Sequence, residues 1–133
     1  LVFSSGQKTA NASVVTVYKS PSCGCCKDWV KHMQASGFSV KTVDVHDVRP
    51  YKLENGVSFS LASCHTALIE GYVVEGHVPA NDIKRMLKER PAIRGLAVPG
   101  MPAGSPGMEQ GYKDHYNVFS FDKTGTISVY ASY

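Results

Sequence analysis

The chain contains no apolar run long enough to cross a bilayer, which excludes a transmembrane helix and predicts no membrane insertion. Net charge is also scarce: 14 Lys and Arg against 11 Asp and Glu leave a formal +3, with the bases scattered. The densest basic stretch, KRMLKER at 84–90, is interrupted by apolar residues at helical spacing and reads as a solvated helix face. Without a basic stripe or interleaved stacking aromatics, no nucleic-acid partner is expected. No internal repeat is present. Cysteine is limited to 4 positions, and a chain of 133 residues that is 43% hydrophobic does not need staples. A domain of this size buries roughly two thirds of its unfolded surface. The chain opens on Leu1 and the polar stretch SSGQKTANAS, read as a processed N-terminus with residues 1–13 an extension or disordered; NAS at 11–13 matches a glycosylation sequon.

What is present is a regular succession of elements. VVTVY (14–18) is β-rich and bounded by Ser20-Pro21, so it predicts a buried strand. CKDWVKHMQASG then places Cys26, Trp29, Val30 and Met33 on one helical face and ends at Gly37, a natural C′ residue. FSVKTVDV alternates as a strand, HDVRPYKLENG allows one helical turn, and HTALIE and YVVEGHV read as strands joined by a tight turn at Glu70-Gly71. PANDIKRMLKER, with Ile83, Met86 and Leu87 at i, i+3, i+4, predicts a helix ending at Pro91. This βαβ–ββα order is that of a thioredoxin-like α/β fold. From Pro91 the composition changes: residues 91–111 hold 4 Pro and 5 Gly, which predicts no regular element there. NVFSF and TISVYA flank DKTG as a β-hairpin. The expected organisation is one domain over 14–133, with a core at 14–90 and an extension at 91–133.

Three of the cysteines crowd into SPSCGCCKDW as Cys23, Cys25 and Cys26. Cys23 and Cys26 stand at C-x-x-C spacing after a strand and at a helix start, where free N–H groups lower a thiol pKa. A plain dithiol redox site needs no Cys25. Neighbours on a helix point about 100° apart, so Cys25 and Cys26 are suited to reaching different ions. Clustered thiolates repel unless cations sit among them. Four thiolates with four Cu(I) are neutral, whereas one Zn²⁺ leaves two negative charges. Soft Cu(I) suits thiolates, and a neutral cluster avoids the desolvation cost of a buried charge. Two disulfides, a metal-free thiol–disulfide site using Cys23 and Cys26, and Zn²⁺ remain the alternatives, a Cys23–Cys26 bond being allowed for in an isolated sample.

The fourth cysteine, Cys64, lies in SCHTALI. By analogy with thioredoxin folds, where a cis-proline before this strand faces the C-x-x-C, His65 takes the proline's place and Cys64 faces Cys23 and Cys26. His65 is read as a support, with direct ligation open. His77, in EGHVP, is read as a cap of the last helix, with a pocket-facing role as the alternative. Met101 and Met108 bracket PAGSPG; their thioethers suit Cu(I) transit as well as lid packing. His32 is expected in solvent, His46 carries no ligand signal, and Met33 and Met86 belong to the core. Trp29 is expected to pack beneath the cysteine loop.

YKSPSCGCCKDWVKHMQASGF, SCHTALIEGYVVEGHVPANDIKRML and GLAVPGMPAGSPGME together resemble the CopG copper-resistance family over about residues 14–121. The resemblance implies a thioredoxin-like fold with additions and a multinuclear, cysteine-bridged Cu(I) cluster held by Cys23, Cys25, Cys26 and Cys64. It further implies a role in periplasmic copper handling in Gram-negative bacteria, with copper ions and other copper-handling proteins as partners. The expected function is therefore Cu(I) capture for copper resistance, with copper redox or thiol–disulfide oxidoreductase activity as the enzymatic alternative. His115 falls outside the family pattern.

Overall fold

The computed structural model describes residues 14–133; the sequon and the N-terminal extension lie outside the described residues. Among the described residues seven strands form one sheet in the order β2-β1-β3-β4-β5-β6-β7, giving a mixed α/β architecture with three α-helices. β1 (Val14–Lys19) pairs parallel with β2 (Ser39–Asp44) and antiparallel with β3 (Thr66–Ile69). β4 (Tyr72–Gly76) pairs antiparallel with β3 and parallel with β5 (Gly95–Val98). β6 (Asn117–Phe121) and β7 (Ile127–Ser132) complete the antiparallel side, with a register shift at Val118/Phe119. The β3–β4 turn has positive φ at both Glu70 (49°) and Gly71 (87°), a geometry whose twist matches the flanking strands.

Helix α1 (Gly24–Ala35) starts at the cysteine loop and ends as expected at Gly37, whose φ of 98° lets Phe38 N donate to Met33 O. α2 (Arg49–Glu54) realises the helical turn expected in HDVRPYKLENG, with proline in its first turn where no N–H is needed. A 3₁₀ turn follows at Phe59–Leu61. α3 (Ala80–Glu89) stops at Arg90, before Pro91. Trp29, Val30 and Met33 of α1 and Ile83 and Met86 of α3 pack on the face of the sheet carrying Val15, Val17, Val74, Leu96 and Val98. Val57, Leu61, Val73, Ala97 and Phe121 form a smaller cluster on the other face. Both faces of the central strands are thus covered, and β4 is buried along its whole length.

One expectation is corrected. The Pro/Gly-rich stretch contains a regular element, β5, buried at every position. GLAV is too short to dominate the composition of its surroundings, and its partner β4, about twenty residues earlier in the chain, supplies the ladder. Gly95 is what permits the close approach, since a Cβ there would meet the Val73 carbonyl.

Candidate metal centre

The site is built where β1 runs out into α1 and the chain returns at β3. Cys23 is the N-cap of α1, its sulfur accepting from Cys26 N at 3.2 Å. The helical turn then sends Cys26 inward, fully buried, and leaves Cys25 partly exposed. Cys23 and Cys26 form a disulfide, with Cα atoms 5.3 Å apart, while Cys25 and Cys64 are free thiols. Cys25 Sγ stands 3.6 Å from Cys23 Sγ and 3.8 Å from Cys64 Sγ. All four sulfurs lie within 4.8 Å of one another. The structure therefore brings Cys64 to the local trio from 39 positions beyond Cys25.

A second group shares Cys64. His77 Nε2 is 3.1 Å and His65 Nδ1 3.4 Å from Cys64 Sγ, and these three residues also form a set within 4.8 Å. His77 Nδ1 donates to the Pro106 carbonyl at 2.7 Å, which leaves the Nε2 lone pair aimed at the sulfur. His65 is sandwiched between Trp29, 4.5 Å between ring centroids, and His77 at 5.2 Å; its Nε2 is buried without a hydrogen-bond partner. Trp29 packs under the pocket and donates to Val78 O at 2.9 Å. The capping role expected of His77 is taken by His32: its Nε2 accepts from Ala80 N, the first residue of α3, at 3.0 Å, so His32 is half-buried rather than free in solvent. His46 and His115 are exposed.

The loop after β5 closes the remaining side. Met101 Sδ lies 3.7 Å from Cys25 Sγ, and Met101 is 52% exposed, so this thioether faces both pocket and solvent. Met108 is half-buried, and its backbone ties the loop through Gly104 N to Met108 O and Met108 N to Ser105 O, both 2.8 Å. Gly107, with φ of 93°, lies against α1 so closely that a Cβ would come within 2.9 Å of Cys25 O and 3.0 Å of His77 Nδ1.

Burial pushes the Cys64 thiol up to about 12, with the neighbouring Cys25 adding to the rise. In the metal-free protein Cys64 is thus a protonated thiol, able to donate to His77 Nε2. Burial likewise lowers His65 well below its ordinary value, and lowers His77. Both imidazoles are neutral and carry lone pairs. Soft sulfurs and neutral imidazoles match a soft monovalent cation better than a hard one. Sequence reasoning passed over Glu75, Lys52 and Ser63, which stand behind Cys64. The available signal was a glutamate within the otherwise apolar YVVEG strand.

Fold and pocket together define an α/β domain with a thiol-rich donor set of the kind that could hold a metal ion. Residues 61–108 match a family model described as a protein of unknown function, DUF411, and no curated protein matches. Among solved structures, copper resistance protein CopG in form 2 is 48% identical, with a TM-score of 0.88 over 92% of this chain and 99% of that one. Form 1 gives 48% identity and a TM-score of 0.87, over 92% of this chain and 98% of that one. The chain belongs to the CopG copper-resistance family, as its motifs implied.

Proposed function

We propose that this protein captures Cu(I) in a multinuclear cluster bridged by Cys23, Cys25, Cys26 and Cys64, in the service of periplasmic copper resistance. The observation that carries this reading is the convergence of four cysteine sulfurs within 4.8 Å. That spacing suits bridging thiolates, and four thiolates with four monovalent cations leave no net buried charge. Met101 and His77 extend the donor set toward solvent and interior respectively, and His65 supports Cys64 from the side. The strand–α1–strand and β3–β4–α3 order supports a thioredoxin-like core over 14–90 extended by 91–133. No helix among the described residues is long and apolar enough to cross a membrane.

Reduction of the Cys23–Cys26 disulfide by an external dithiol, which is itself oxidised to a disulfide as it gives up two electrons and two protons, yields the four thiols that the cluster needs. Each thiol that takes a bridging position releases its proton. Anaerobic titration of the reduced protein with Cu(I) tests the reading: more than one copper per chain is expected, and saturation at one or none overturns it. Proton release on loading, and binding that tightens as pH rises, accompany it.

The disulfide itself favours a second, redox reading. Cys23 and Cys26 as thiols reduce two Cu(II) to two Cu(I), forming the disulfide and releasing two protons, while Cys25, Cys64, His77 and Met101 remain to hold the product. A metal-free thiol–disulfide exchange uses the same pair. A Cys25→Ser variant separates them: full disulfide reductase activity with normal copper tolerance would make Cys23 and Cys26 the machine and Cys25 dispensable.

A further inference from the structure

Two charged side chains lie buried behind the pocket and belong to neither donor set. Glu75, on β4, is fully buried, and Lys52, on α2, is 8% exposed. Glu75 Oε2 accepts from Lys52 Nζ at 2.5 Å and from Ser63 N at 2.7 Å, and Oε1 accepts from Thr66 Oγ1 at 2.6 Å. Lys52 Nζ also donates to Thr66 Oγ1 at 3.1 Å. Ser63 and Thr66 bracket Cys64 and His65, so one carboxylate grips the chain on both sides of two pocket residues.

Ser63 passes the constraint onward. Its hydroxyl donates to Gly100 O at 2.5 Å, and Gly100 N donates to Ala62 O at 3.3 Å. The next residue is Met101, whose thioether meets Cys25. The surroundings of Glu75 on this face include Val73 and Ala97, and buried ion pairs are often replaceable by apolar residues without loss of stability. Packing alone therefore does not call for charges here. Their directional bonds to the Cys64 segment do.

We propose that the Lys52–Glu75 pair is a positioning device for the copper pocket, fixing Cys64 directly, and the Met101 loop through Ser63, so that both sulfurs face Cys25. This rests on the reading that the four cysteines hold Cu(I). Loose outer partners let ligands wander, and losing one typically weakens metal affinity about 10- to 100-fold.

The test is a double-mutant cycle on the reduced full chain, with Cu(I) affinity measured anaerobically against a chromogenic chelator. Glu75→Gln keeps one acceptor oxygen, so one arm of the clamp opens. It is expected to weaken Cu(I) binding about 10- to 100-fold in the parent and by several-fold less in a Cys64→Ser background, the remainder being the effect passed to Met101 through Ser63. No loss, or an equal loss in both backgrounds, overturns the proposal. Should Glu75→Gln fail to fold, as circular dichroism would reveal, the near-isosteric Thr66→Val opens the other arm, and a loss of about tenfold confined to the Cys64 background is expected. The copper reading itself is judged separately, on the parent alone: a parent that saturates at one copper or none ends that reading before any variant is compared.

Discussion

A single hydrogen bond decides what His77 can do. Because Nδ1 is committed to the Pro106 carbonyl, Nε2 presents a lone pair to Cys64, and the loop that supplies Pro106 thereby sets the tautomer. Burial keeps this ring, His65 and His32 neutral, since all three are lowered chiefly by desolvation. The unfolded chain binds protons at these positions near the ordinary histidine value of about 6.5, whereas the folded chain binds them only at lower pH. Stability is therefore complete above that value and falls as pH drops below it. The melting temperature of the metal-free protein is expected to decline steadily from pH 6.5 toward pH 5. A flat profile in the parent would contradict the burial of these rings.

At the scale of elements, the site depends on segments with no periodicity of their own. The loop 99–111 lies on α1 through Gly107, where both positive φ and close approach require glycine. Gly111 has a similar φ of 83° but open space around it. Gly111→Ala is expected to cost only the left-handed strain, about 1–2 kcal/mol. Gly107→Ala adds overpacking of about 1–3 kcal/mol and displaces the Met101 loop from Cys25. Urea unfolding of the two variants measures the difference, and equal losses would mean that the loop does not press on the helix.

At the scale of the molecule, the sheet runs without interruption from β2 to β7. β5 gives β4 its parallel partner, and Leu96, Val98, Tyr116 and Val118 belong to the main core. A chain ending at Arg90 would leave the β4 edge open and these contacts unmade. It is expected to lose cooperative unfolding, as calorimetry would show; a sharp transition near that of the full chain would make 91–133 an appendage. From this extension Met101 meets Cys25, the Gly100 carbonyl accepts from Ser63, and the Pro106 carbonyl accepts from His77.

The sequence by itself determined the local elements and the chemistry at hand. Alternation and helical spacing marked β1, β2, β3, β4, α1 and α3, because those signals arise between residues a few positions apart. The crowding of Cys23, Cys25 and Cys26 announced soft-metal or redox chemistry for the same reason. The tertiary structure alone decided β5, whose ladder comes from a distant strand, and the exchange of roles in which His32 caps α3 while His77 faces Cys64. It also decided the clamp at Glu75. These features depend on which backbone groups meet across the sheet, and on how far each ring is removed from water. Neither quantity exists until the chain has closed on itself.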